Sequence, residues 1–105
     1  AYCGSKFAAI GITQSLALEL AANDITVNAV CPGIVGTAMW LDHLLPSNFA
    51  VTDEKKQNFE ELMAKRIPLG RPQTTEDIAA AVLYLATARN VTGIALTVAG
   101  GIQLN

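Results

Sequence analysis

Ile25-Thr26-Val27-Asn28-Ala29-Val30-Cys31-Pro32-Gly33 is the stretch on which the fold turns. Its first seven residues are uncharged and largely β-branched or apolar, which fits a strand. Pro32-Gly33 then stops it sharply. Upstream, residues 1–22 read as one helix. Phe7, Ile10, Ile12, Leu16, Leu18 and Leu20 spread over most of its circumference, and Glu19 is the only charge between Lys6 and Asp24. A helix apolar nearly all round needs cover on more than one side. A sheet can cover one side, and another subunit is expected on the other. Asn23-Asp24 ends the helix.

Downstream, Thr37 to His43 makes one or two helical turns and Pro46-Ser47-Asn48 is loop. Thr52 or Asp53 caps a second helix running to about Arg66, with Phe59, Leu62 and Met63 as its apolar stripe. Pro68 stops it, and Ile67-Pro68-Leu69-Gly70-Arg71-Pro72 is a stiff connector. Thr74 can cap the amide of Asp77, whose carboxylate can reach back. The third helix then carries Ile78, Ala79, Val82, Leu83, Leu85 and Ala86. Gly93 to Val98 is a second strand, closed by Gly100-Gly101. Strands separated by helices imply an α/β fold with parallel pairing and crossover connections. Two strands are too few to cover these helices. Further strands are therefore expected upstream, with residues 1–105 forming the C-terminal half of a single domain.

The composition narrows the range of partners. Of 105 residues 51% are hydrophobic and 15% charged, below the usual share of about 25% charged. A net charge of −2 gives no reason to expect nucleic acid or an anionic membrane as partner. Cys3 and Cys31 lie far apart without metal-ligand spacing, so no metal is expected and a reducing cytoplasm is the natural setting. No apolar run reaches the ~18 residues of a membrane span, and the opening residues show no basic n-region or cleavage site.

Two local patterns carry chemistry. Tyr2 and Lys6 are four apart at the start of the first helix, which sets phenol and ammonium on one face, one turn apart. A nearby positive charge favours the phenolate. A tyrosine ordinarily titrating near ~10 thereby becomes usable as a general acid or base at neutral pH. The second pattern follows the strand. In an open parallel sheet, ligands sit beyond the carboxyl ends of the strands, where Pro32-Gly33 stands. Gly33 lets a flat ring approach closely. The amides and carbonyls of Ile34 and Val35 are expected to face the ligand, with the Thr37 hydroxyl beyond them. A nicotinamide carboxamide, one acceptor and one two-hydrogen donor, suits such a stretch. Taken singly, each pattern is also what an ordinary helix face or turn shows.

Together they resemble a known family. Tyr2-x-x-x-Lys6, then Asn28-Ala29-Val30-Cys31-Pro32-Gly33 with Thr37, then Gly70-Arg71-Pro72 and a helix opened by Glu76-Asp77, then Val98-x-Gly100-Gly101, look like the C-terminal half of a short-chain dehydrogenase/reductase. The resemblance implies a Rossmann-type doubly wound sheet, of which this chain holds two strands and three to four helices. It implies hydride transfer between NAD or NADP and a small alcohol or carbonyl compound. Tyr2 would exchange the proton and also contact the cofactor, Lys6 would assist it and bond the nicotinamide ribose, and Pro32, Gly33, Ile34, Val35 and Thr37 would hold the nicotinamide end. Met39 and Trp40 fall where the family leads into a substrate lid; Trp40 fits equally a core anchor. His43 reads as a surface or lid residue, and Cys3 and Cys31 as packing. Lys55-Lys56 and Glu60-Glu61 form a solvated face on which Lys56 and Glu60 can pair. Arg71 suits either a carboxylate partner or a bridge to the cofactor region.

The family's glycine-rich phosphate loop, ribose selector, Asn-Ala-Gly strand and catalytic serine belong upstream of the tyrosine, and none is in this chain. Alone, the chain is expected neither to bind a dinucleotide well nor to turn over. Ala99 stands where many relatives carry Asp. The run from Cys31 to Trp40 most resembles the acetoin, 2,3-butanediol and polyol dehydrogenase branch. A 3-oxoacyl-thioester reductase is the rival within the family, and a non-catalytic oligomerisation module the rival outside it. A homo-oligomer, dimer or tetramer, is expected through the first and third helices and the last strand.

Overall fold

Residues 1–37 and 61–102 are described by the structure, a computed structural model. Helix α1 runs Tyr2–Leu20, followed by a 3-10 turn Ala21–Asn23. Strand β1 is Ala29–Pro32, helix α2 is Thr75–Thr87, and strand β2 is Ala95–Val98. Residues 61–64 are also helical. Met39, Trp40, His43, the expected Thr52 or Asp53 cap, Lys55, Lys56, Phe59 and Glu60 lie outside the described residues.

The end of α1 follows from backbone bonding. Asp24 takes a left-handed conformation, φ 57° and ψ 37°. Its N–H donates to the Ala21 carbonyl at 3.0 Å, and the Ile25 N–H reaches the Leu20 carbonyl at 3.3 Å. These two bonds make a Schellman closure, which satisfies carbonyls that the helix leaves open.

β1 and β2 are neighbours in a two-stranded parallel sheet. The Ala29 N–H donates to Ile94 O at 2.9 Å and the Gly33 N–H to Val98 O at 2.8 Å, so both strands advance together. Pro32 occupies an alternate position whose missing N–H would point away from β2. The regular strands are shorter than the apolar pattern. Expected from Ile25, β1 begins at Ala29; expected from Gly93, β2 begins at Ala95. The Asn28 side chain explains both. Its Nδ2 donates to Val91 O at 2.9 Å and its Oδ1 accepts the Ile94 N–H at 3.2 Å. The Val27 N–H goes to Thr92 Oγ1 at 3.0 Å. Side chains thus replace the ladder over this entry.

Two compact units can be distinguished among the described residues: 1–31 with 79–97, and 32–37 with 61–78 and 98–102. In the first, Ala17, Ala81 and Leu85 are buried, while Phe7, Ile12, Leu18, Val82, Leu83 and Tyr84 are exposed. The expected apolar face of α2 is therefore narrower than the pattern, because Val82 and Leu83 lie off the side that Ala81 and Leu85 bury. In the second unit Met63 and Ile67 are buried, with Ile34 and Ile102 packed against them. Leu62, expected to share their stripe, is instead exposed. Pro68 sits in a turn closed by the Gly70 N–H on Ile67 O at 2.7 Å, and the Leu69 N–H donates to Gly100 O at 3.0 Å. The connector is held as a rigid turn.

Helix α2 opens with the reciprocal cap that its sequence announces. The Asp77 N–H donates to Thr74 Oγ1 at 3.1 Å, and the Thr74 N–H donates to Asp77 Oδ2 at 2.8 Å.

Candidate active site

Tyr2 and Lys6 both lie in α1, at its first and fifth residues. The helix is continuous through both, so the four-residue spacing is one helical turn. Ala1 precedes it without a side-chain cap, and the Ser5 N–H closes the first turn on Ala1 O at 3.0 Å.

Pro32 to Thr37 belong to the second unit. Gly33 is tightly enclosed there. A Cβ at this position would stand 2.6 Å from Gln73 Oε1 and 2.7 Å from Ala99 Cα. Ala99 is itself buried. Only glycine fits between that backbone and that side chain.

The next residue departs from expectation. Ile34 does not offer its peptide groups to a ligand. Its N–H donates to Gln73 Oε1 at 3.0 Å, and its carbonyl accepts the Gln73 N–H at 2.9 Å. Val35 and Gln73 form a parallel bridge. In this register the paired groups belong to Gln73 and to the residues flanking Val35, so Val35's own N–H and C=O point to the other side. The Val35 carbonyl also accepts the Thr37 N–H at 2.7 Å, a three-residue turn with Gly36 at its centre. Thr37 is exposed. Of the two residues read as facing the ligand, Ile34 has both peptide groups bonded to Gln73, while Val35 turns its own away from Gln73.

Gln73 is the residue that spacing and composition do not flag. It is buried in a Pro-rich connector with no periodicity to mark it. Arg71, beside it, donates from Nη1 to Leu69 O at 3.4 Å. Its charge also helps lower the pKa of Asp77, after the larger effects of the Thr74 amide and hydroxyl. Both cysteines are free thiols, Cys3 exposed and Cys31 half-buried. Among the described residues, no helix is long and apolar enough to cross a membrane.

Comparison with known proteins agrees with this anatomy. A family model described as enoyl-(acyl carrier protein) reductase matches residues 1–103. L-2,3-butanediol dehydrogenase of Corynebacterium glutamicum is 42% identical over 109 residues, covering 100% of this chain and 41% of that protein. A 3-oxoacyl-(acyl-carrier-protein) reductase of Rickettsia prowazekii is 40% identical over 105 residues, covering 98% of this chain and 39% of the relative. The chain thus spans about two fifths of these relatives' length. Among solved structures, sorbitol-6-phosphate 2-dehydrogenase from Erwinia amylovora superposes with a TM-score of 0.80 at 32% identity, over 98% of this chain and 41% of that one. The helix bearing Tyr2 and Lys6, the parallel strand pair and the Pro-Gly turn are those of a Rossmann-type α/β fold, and the chain belongs to the short-chain dehydrogenase/reductase family.

Proposed function

We propose that this chain supplies the proton-transfer pair and the nicotinamide-end turn of an NAD- or NADP-dependent oxidoreductase. Its substrate is a small alcohol or ketone of the acetoin, butanediol or polyol type. The observation that carries the reading is Tyr2 and Lys6 one turn apart at the start of α1. The 42% identity with a butanediol dehydrogenase supports the substrate class.

The residues fit the nicotinamide end of a dinucleotide. Gly33 has no side chain to obstruct a flat ring. Val35 turns its N–H and C=O away from Gln73, and the carbonyl keeps a second lone pair beside the Thr37 N–H, so the residue can meet the acceptor and donor of a carboxamide. The Thr37 hydroxyl adds one more polar group. When bound, NAD or NADP supplies the site that takes or gives hydride. The protein's own part is the proton. In oxidation the Tyr2 phenolate accepts the alcohol proton; in reduction the phenol donates it to the carbonyl oxygen. The Lys6 ammonium favours the phenolate by its charge and donates to the ribose hydroxyls. The phosphate loop and the serine come from a segment outside these 105 residues, which form the C-terminal half of the domain. The protein works as a cytoplasmic homo-oligomer, dimer or tetramer, with contacts through α1, α2 and β2.

A second reading, reduction of 3-oxoacyl thioesters, is favoured by the 40% identity with the Rickettsia prowazekii reductase. One assay separates the readings. NADH and NADPH absorbance is followed in the full-length gene product with acetoin, diacetyl, sorbitol and an acetoacetyl thioester. Turnover of the small ketones or of sorbitol supports the first reading, and turnover of the thioester alone the second. Dinucleotide binding without turnover of any carbonyl points to a non-catalytic oligomerisation module.

A further inference from the structure

Gln73 is the buried polar side chain among the described residues, 7% exposed. A buried amide is costly unless its bonds are made, so an apolar residue would fill the space more cheaply. Here the side chain accepts the Ile34 N–H and the backbone N–H bonds the Ile34 carbonyl. One residue holds both peptide groups of Ile34. Nor can the amide slide. Its Oε1 lies 2.6 Å from where a Cβ on Gly33 would stand, and its Nε2 2.8 Å from where one on Gly100 would stand. Gly100 itself has φ +60°, so neither glycine accepts a side chain that would free the space.

We propose that Gln73 is a positioning residue: by holding both peptide groups of Ile34 it fixes Val35 as the residue whose N–H and C=O read a carboxamide. This rests on the reading of Pro32 to Thr37 as the nicotinamide-end turn. Without the Oε1 acceptor, the half-buried Ile34 N–H loses its protein partner. The turn then gains by shifting one residue, which would aim the wrong peptide at the ligand.

The test is calorimetric titration of the full-length gene product with NADH and with ADP-ribose, which lacks nicotinamide. Gln73→Met keeps the length and removes the acceptor. It is expected to weaken NADH roughly tenfold, the scale of one buried bond left unmade, and to leave ADP-ribose unchanged. Gln73→Glu keeps an oxygen acceptor in either protonation state and is expected to restore NADH affinity. Equal losses for both ligands, or no loss for either, overturn the proposal. Amide exchange on the unmodified protein makes the test without a variant. Ile34 exchanges slowly with or without ligand, and Val35 slows on adding NADH but not ADP-ribose. Ile34 exchanging as fast as Val35 in the free protein overturns the proposal. An unmodified protein that binds no dinucleotide brings down the oxidoreductase reading itself, a distinct outcome.

Discussion

In the proposed site, Gly33 and Tyr2 meet different limits. At Gly33 the limit is space. An added Cβ would meet Ala99 Cα at 2.7 Å and Ala99 Cβ at 2.8 Å. Backbone cannot move aside as a flexible side-chain tip can, so Gly33→Ala is expected to cost about 2 kcal/mol, the range of core overpacking. Chemical denaturation of the full-length gene product measures this. At Tyr2 the limit is chemistry. Tyr2→Phe removes a hydroxyl and keeps the ring, so kcat/KM is expected to fall roughly 10²–10⁴-fold, as for loss of a general acid or base. NADH affinity is expected to change far less than kcat/KM, since the ring and Lys6 stay in place. Unchanged turnover would remove Tyr2 from the mechanism. Both positions were marked in the sequence by local signals: a spacing of four on a helix, and Pro-Gly after a strand. Gln73 was not, because it meets Ile34 across 39 residues of chain. A side chain bonding a distant backbone leaves no periodic trace. The same contact explains why Ile34 was misjudged, since its own neighbours say nothing of Gln73.

Among the elements, α2 shows how much of a helix its first turn specifies. Thr74 and Asp77 exchange two bonds, and Thr74→Ala is expected to cost about 1 kcal/mol, as other N-cap losses do. The Asp77 carboxylate adds a pH dependence. The Thr74 amide and hydroxyl, with Arg71's charge, hold its pKa below the ordinary 3.8. A carboxyl depressed on folding stabilises the folded state above its unfolded pKa and loses that contribution as pH falls through the folded one. The cap should therefore be intact at neutral pH and fade below about pH 4, near the ordinary carboxylate range. Exchange of the Thr74 amide against pH reads it directly, and Asp77→Asn should flatten the curve. This cap was readable from Thr-x-x-Asp because a capping box is a four-residue event. Strand limits were harder to read. The apolar run from Ile25 is real, but Asn28 diverts its entry into side-chain bonds with Val91 and Ile94, and no propensity scale registers that competition.

For the whole molecule, the decisive fact is how little of its apolar surface is covered. Phe7 is 64% exposed and Leu18 83%, and at about 100° per residue they share one side of α1. Ile12 and Leu16, 59% and 38% exposed, lie on the opposite side. Monomeric soluble proteins rarely leave such contiguous patches open. The sequence pattern already asked for cover on two sides of this helix, and the structure meets that demand with little beyond Ala17. What covers each side could not be read, because an apolar stripe specifies burial and not the partner. A Rossmann-type sheet on one side and, as proposed, a second subunit on the other would satisfy both. Two measurements follow. The 105-residue chain alone is expected to melt without a sharp cooperative transition and to bind ANS, since too little apolar area is removed from water to hold one packed state. In the full-length gene product, Leu18→Lys is expected to shift the assembly to smaller species in sedimentation while Cys3→Ser, also exposed on α1, leaves it unchanged. A sharp melt of the isolated chain, or an assembly indifferent to a charge at Leu18, would mean that α1 is already covered as it stands.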